Sequence, residues 1–224
     1  MAHSVKITSI KRITHDVLSF VTEKPAGLVY HPGQAVDVSI NKPGWEKELR
    51  PFTFTSLPED DFLEFTIKTY PFHHGVTNQL RSLVKGDALL IGDVFGAISY
   101  KGEGIFIAGG SGITPFIAIL KQLEKKNKIG NNKLIFANKT KGDIILEDKF
   151  KILLGSNFIN VLSDEVRLGY ENGYVTADLI KQHIGKNTQN YFYLCGPDLM
   201  MQAVEKQLSS LKIADNFIVK EAFG

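Results

Sequence analysis

The chain has 224 residues, 43% of them hydrophobic and 22% charged, with a formal net charge of +2. That balance suits one or two folded domains and excludes a disordered chain. Its single cysteine, Cys195, excludes an internal disulfide and any cluster held by four cysteines of this chain. No apolar stretch approaches the ~20 residues of a membrane helix. The start, Met1 to Lys6, lacks a secretory apolar core. No run of lysine and arginine is interleaved with aromatics. A cytoplasmic protein with no membrane and no nucleic-acid partner is expected.

Residues 1 to about 98 read as short strands. Val5–Ile10, Val17–Thr22, Ala35–Ile40, Phe52–Ser56, Leu63–Lys68 and Ala88–Ile91 alternate or run apolar between turn residues. Such spacing predicts an antiparallel barrel or sandwich. One helix is expected from Val76 to Leu83, with Val76, Leu80, Leu83 and Val84 at helical spacing. From Gly104 the pattern changes. Strands at Gly104–Ala108, Lys133–Ala137, Phe158–Leu162, Tyr191–Leu194 and Phe217–Lys220 alternate with helices at Thr114–Lys126, Ile145–Leu154, Ala177–His183 and Pro197–Leu211. This predicts an open parallel sheet. The expected architecture is therefore two-domain: an antiparallel β-barrel over residues 1–99, followed by an α/β open parallel sheet over residues 100–224.

Arg50-Pro51-Phe52-Thr53-Phe54-Thr55-Ser56 places a guanidinium, aromatic rings and hydroxyls within one strand. Strict alternation puts Arg50, Phe52 and Phe54 on one face. Arg50 can fork onto a phosphate, and Phe52 can lie against a flat heterocycle. Pro51 cannot donate to a ladder, which suggests an edge or a bend. The same residues also describe a barrel strand with core phenylalanines and one surface arginine. Further on, His74-Gly75-Val76-Thr77 opens the barrel's helix, and its free N–H groups and hydroxyl suit an anion or a plain cap. His73 and His74 have no partners that would make them metal ligands, so no metal is expected.

Gly109-Gly110-Ser111-Gly112-Ile113-Thr114-Pro115 runs from strand through glycine turn to helix. Thr114 is expected to cap that helix, with Pro115 at its first position. Its start then points N–H groups and partial positive charge at a pyrophosphate. The pattern is not Gly-x-Gly-x-x-Gly. Cys195-Gly196-Pro197 closes the strand Tyr191–Leu194 at a carboxyl edge, where parallel sheets bind ligands; a small buried thiol is the other reading. Asn138-Lys139-Thr140 follows the second parallel strand, where Lys139 or Arg167 could meet a 2′-phosphate.

Taken together, these residues resemble the ferredoxin–NADP reductase superfamily, the flavodoxin reductase-like proteins. Arg50-Pro51-Phe52-Thr53 matches its Arg-x-(Tyr/Phe)-(Ser/Thr) flavin signature, and Gly109–Pro115 matches its Gly-Gly-x-Gly-Ile-Thr-Pro turn. Gly75-Val76-Thr77 is one residue shorter than its Gly-x-x-(Ser/Thr) turn. The resemblance implies Arg50 on the flavin phosphate, Phe52 against the ring system and Thr53 near flavin N5. Pro51, Ile67, Lys68, Gly75, Val76 and Thr77 are counted with them as cofactor-binding. For the pyridine nucleotide it implies Gly110, Gly112, Thr114, Cys195, Gly196 and Pro197, with Cys195 guiding the nicotinamide. Glu221 and Phe223 echo the family's C-terminus, the acid near the flavin and the aromatic over its ring. Thr53, Cys195 and Glu221 are the expected catalytic residues. The implied cofactors are FAD, with FMN second, and NADPH or NADH. The implied activity is an NAD(P)H-dependent flavin oxidoreductase, passing hydride to the flavin and single electrons to a separate acceptor: ferredoxin, flavodoxin, an oxygenase component or a small oxidant. The alternative is a flavin-binding sensor or partner subunit without productive NAD(P)H turnover.

Overall fold

The structure is a computed structural model and describes residues 3–184 and 190–221. The chain divides into two compact units. Met1–Ser99 forms the first together with Thr114–Gln122, and Tyr100–Ile113 with Leu123–Gly224 forms the second.

In the first unit, strands β1 (His3–Arg12), β2 (Val17–Glu23), β3 (Ala35–Ile40), β4 (Arg50–Thr53), β5 (Phe62–Lys68) and β6 (Ala88–Phe95) make one antiparallel sheet in the order β4-β3-β6-β1-β2-β5. Period-two burial drives it. Val5 and Ile7 of β1 point inward between exposed neighbours, to pack with Phe20, Val36, Val38, Phe65 and Leu89. The sheet closes on itself just past β4. Phe54 bridges Phe65 of β5, and the Thr55 N–H donates to the Glu64 carbonyl at 2.7 Å. The predicted barrel is thus present, with its seam between the end of β4 and β5.

The barrel's helix is shorter than expected. Helix α1 (Val76–Gln79) passes into a 3-10 turn at Leu80–Ser82. Val76, Leu80 and Leu83 are buried as the spacing predicts, but Val84 lies beyond the turn and is 63% exposed. Tightening to three residues per turn and then leaving the helix takes Val84 off the apolar stripe.

In the second unit, β7 (Gly104–Gly109), β8 (Lys133–Asn138), β9 (Phe158–Leu162), β10 (Glu171–Asn172), β11 (Tyr191–Cys195) and β12 (Ile218–Lys220) form a parallel sheet in the order β10-β9-β8-β7-β11-β12. Helix α2 (Thr114–Lys125) links β7 to β8 along the chain and falls mostly in the first unit, while helices α3 (Glu147–Leu154), α4 (Ala177–His183) and α5 (Asp198–Ser210) follow the strands of this unit. On one face, Ile105, Ile107, Ile135, Ile159, Val161, Phe192 and Leu194 pack against Leu179 and Ile180 of α4 and Val204 and Leu208 of α5. On the other, Phe106 stacks on Tyr193 at 4.3 Å. The Tyr193 hydroxyl accepts from the N–H groups of Lys101 and Gly102 and donates to the Gly102 carbonyl, which ties down the start of this unit.

Strand β10 had no sequence signal, being two polar residues without alternation. It exists because it pairs with Val161 and Leu162, and the Gly173 N–H donates to Leu162 O at 2.8 Å. Among the described residues no helix is long and apolar enough to cross a membrane.

Candidate functional site

Two separate places bring the sequence motifs together, one in each unit. In the first unit, β4 pairs only with β3, setting Arg50 opposite Val38, Pro51 opposite Asp37, Phe52 opposite Val36 and Thr53 opposite Ala35. Pro51 sits on this edge, where its missing N–H costs no ladder bond. Alternation is graded along the strand. Arg50 is exposed, Phe52 is half-buried against the core, and Phe54 is fully buried between Tyr30, 4.1 Å away, and Phe65. Of the three residues expected to share a ligand-facing side, Phe54 is therefore a core residue. The Arg50 guanidinium donates to the Leu49 carbonyl at 2.6 Å and lies 3.9 Å from Glu48. Both are weak holds on an exposed cation, so the fork remains available to an anion. Thr53, which ends β4, is half-buried.

The other residues assigned to this site divide by burial. The side chains of Ile67 and Val76 lie in the barrel core, so each can reach a ligand only through its backbone. Lys68 is held by Asp16 at 2.9 Å. Burial raises the Asp16 pKa, but the hydrogen bond and charge of Lys68 outweigh that and hold the carboxyl below its usual range. Lys68 is thus a structural cation in this unit. Gly75 is extended and open, with nothing within 4 Å of where a Cβ would be, and Thr77 is half-buried in α1.

Sequence reasoning missed an aromatic platform on the loop between β5 and α1. Tyr70 stacks on His73 at 5.4 Å and 17°, and Phe72 beside them is 93% exposed. The signal was present as the run Tyr70-Pro71-Phe72-His73-His74, too short and irregular for a periodic reading.

In the second unit the chain leaves β7 through α2 toward β8, and later returns to place β11 on the other side of β7. The carboxyl ends of β7 and β11 are the topological switch point, the place where an open α/β sheet leaves a crevice for a ligand. Ala108 is aligned with Cys195 there. The two motifs found separately in the sequence interlock at this point. A Cβ on Gly112 would lie 2.2 Å from the Cys195 carbonyl oxygen and 2.6 Å from the Gly196 nitrogen. One on Gly109 would meet Met200 at 2.2 Å and Pro197 at 3.0 Å. Gly112 lets two backbones touch, and Gly109 makes room for the Met200 and Pro197 side chains. Gly110 differs: its φ is +51°, and nothing lies within 4 Å of where a Cβ would be. It is the turn's open position, where backbone could approach a phosphate closely.

The turn is also tighter than expected. Gly110–Ile113 is a 3-10 turn, so Thr114 is the first residue of α2 rather than its cap, and Pro115 follows it.

The Cys195 thiol is pushed up to about 12 by burial, with the charge of Glu221 adding to the effect. Lys220 of β12 is aligned with Leu194, so Glu221 follows beside Cys195. Burial thus disfavours the thiolate that a nucleophilic role would need. Phe223 lies outside the described residues.

At the carboxyl ends of β8 and β9, Arg167 pairs with Glu165 at 3.0 Å, and the other Glu165 oxygen accepts the Lys141 N–H at 2.8 Å. Lys139 is exposed, and its carbonyl accepts the Asp164 N–H. The side-chain amide of Asn138 is buried with neither its nitrogen nor its oxygen hydrogen-bonded among the described residues. Buried amides are ordinarily satisfied; one orphaned at a sheet's carboxyl edge suits a polar ligand or an ordered water.

Two protein-family models match the chain, with ranges that overlap. Residues 2–135 match the FAD-binding domain family, and residues 106–206 match the oxidoreductase NAD-binding domain family. NADH-cytochrome b5 reductase 1 of Aspergillus terreus is 31% identical over 221 residues, covering 89% of this chain and 74% of its own. NADH-cytochrome b5 reductase 2 of Mycosarcoma maydis is 29% identical, and the match spans 88% of this chain but 62% of that protein's length. The flavohem-like FAD/NAD binding domain of a nitric oxide dioxygenase from Vibrio cholerae has the same fold, with a TM-score of 0.85, 24% identity, and 99% and 98% of the two chains covered.

Proposed function

This chain belongs to the ferredoxin–NADP reductase-like flavoproteins, NAD(P)H-dependent flavin oxidoreductases that join an FAD-binding to an NAD-binding domain, and on that premise we propose that it oxidises NADH and reduces a separate haem protein of cytochrome b5 type. The observation that carries the reading is the interlocked turn at the switch point, where Gly112 is sealed against Cys195 and Gly110 is left open.

The residues present fit both cofactors. Arg50 offers a bidentate fork to a flavin phosphate on an exposed edge. Phe52 offers a half-buried ring face, and Thr53 a hydroxyl next to it. The turn Gly110–Ile113 and the start of α2 offer N–H groups to a pyrophosphate. FAD and NADH, when bound, supply the redox chemistry: a hydride transfer between them and release of single electrons. The protein's part is binding and alignment. Cys195 gives the nicotinamide a neutral wall, because its thiol stays protonated. Glu221 follows Lys220 beside that wall.

NADH is favoured over NADPH by the charges at the β8 and β9 ends. Arg167 pairs with Glu165 at 3.0 Å, and the Asp164 N–H donates to the Lys139 carbonyl. A ribose 2′-hydroxyl can donate to the Glu165 carboxylate at this edge. The names of the fungal relatives specify NADH and cytochrome b5, which supports the same choice of donor and acceptor.

Anaerobic mixing with each nucleotide tests the proposal. Loss of the yellow flavin absorbance is expected at least about tenfold faster with NADH than with NADPH, the ratio that about 1.4 kcal/mol of differential binding gives. No bleaching with either would leave a flavin-binding sensor. Reduced protein mixed with cytochrome b5, ferredoxin and flavodoxin then identifies the acceptor; preference for either of the last two would overturn the haem-protein assignment.

A further inference from the structure

The segment after β4 is held more firmly than β4 itself. Phe54 is stacked between two rings. The Ser56 hydroxyl meets the Tyr30 hydroxyl at 2.9 Å and accepts the Glu64 N–H. The Leu57 N–H donates to Asp60, and its carbonyl accepts from Tyr30. The remaining member, Thr55, is held from another element. Lys121 of α2 places its ammonium 2.7 Å from the Thr55 carbonyl and 2.7 Å from Glu64 Oε2. Glu64 is fixed in turn, since Oε1 accepts the Ser19 hydroxyl at 3.0 Å. All these residues belong to the first unit.

A half-exposed ion pair contributes little to stability, so stability does not account for this arrangement. Its geometry does something else. One ammonium fixes the strand that carries Arg50–Thr53 and does so from α2, the helix that begins at the glycine turn. We propose that Lys121 is a positioning residue for the flavin strand, holding the Thr55 carbonyl against Glu64 so that Arg50, Phe52 and Thr53 meet FAD at one fixed angle. The proposal rests on the flavin reading above. It adds a residue that sits outside every motif in the sequence.

The test compares wild type, Lys121→Met, Lys121→Arg and Glu64→Gln as FAD-loaded proteins. Lys121→Met is expected to retain FAD, to alter the visible circular dichroism of the bound flavin, and to slow flavin reduction at saturating NADH about five- to tenfold, as misalignment does. Its apparent NADH affinity should stay within about twofold, because no nucleotide contact is removed. Lys121→Arg should restore both spectrum and rate. In FAD-free protein, hydrogen exchange at Thr55–Leu57 should quicken about tenfold in Lys121→Met, reporting looser local structure. A wild-type spectrum and rate in Lys121→Met, or failure of Lys121→Arg to restore them, overturns the proposal. Should Lys121→Met not fold, Glu64→Gln decides: a shift of the same sign supports the role, and a wild-type spectrum removes it. A wild-type protein that takes up no FAD would defeat the flavin reading instead, before any variant is compared.

Discussion

Gly112 and Cys195 meet backbone to backbone, so closely that a methyl group on Gly112 would lie 2.2 Å from the Cys195 carbonyl oxygen. Neither backbone can yield cheaply. The cysteine carbonyl ends a strand paired to β7, and Gly112 closes the turn leaving it. Gly112→Ala is expected to cost about 2–3 kcal/mol of stability, the upper range for overpacking, and to abolish NADH-dependent flavin reduction. Gly110→Ala meets only the strain of its positive φ, about 1 kcal/mol. Urea midpoints of the two variants check this, and equal losses would mean the close contact is not what the glycine at 112 is for.

Arg50 contributes more to ligand binding than to folding. Its guanidinium touches a neighbouring carbonyl and stands 3.9 Å from Glu48. Arg50→Ala should change stability by less than about 0.5 kcal/mol, as exposed positions do, yet lose FAD on dialysis. Retention of FAD at the wild-type level would take the phosphate assignment away from Arg50.

The Cys195 thiol should resist alkylation. Its pKa is raised from 9.0 to about 12 by burial and then by Glu221. The thiolate is therefore disfavoured in the folded state, and whatever stability this contributes is full below pH 9 and is lost as pH rises toward 12. Iodoacetamide should label folded protein at pH 8 far more slowly than urea-unfolded protein. Glu221→Gln should speed the folded reaction, and no change would show that burial acts alone. Cys195→Ala should slow reduction by NADH while leaving FAD content intact.

The Asp16–Lys68 pair gives the barrel an acid limit. Lys68 holds the Asp16 carboxyl below its usual 3.8 despite burial. A lowered carboxyl stabilises the fold above that value, and the contribution disappears as pH falls through the lowered pKa. Unfolding by urea measured from pH 6 to pH 2 should show this loss, and Asp16→Asn should flatten it. An unchanged acid limb in Asp16→Asn would transfer the effect to other carboxylates.

Most of the architecture was legible because two different periods write it. The alternation of Val5–Ile10 or Leu63–Lys68 specifies a half-buried antiparallel strand, and the solid apolar run Gly104–Ala108 specifies one buried on both faces. The motif at Gly109–Pro115 announced its turn through glycine and proline chemistry. What stayed hidden depends on partners distant in sequence. Glu171-Asn172 becomes a strand only because Val161 and Leu162 lie alongside. Phe54 looked equivalent to Phe52 until Tyr30 and Phe65 closed over it. Nothing in one dimension shows that Asp16 is the neighbour of Lys68. Lys121 carries no motif at all, and its role lies entirely in which carbonyl its chain reaches.

The barrel's seam has a further consequence. Before the Phe54–Phe65 bridge, β4 pairs only with β3 among the described residues, so Arg50–Thr53 lies on an edge of the sheet. An open flank invites any extended segment to add on. A flat ring seated there would act as a stopper as well as a reagent. Flavin-stripped protein is therefore expected to self-associate more readily than loaded protein.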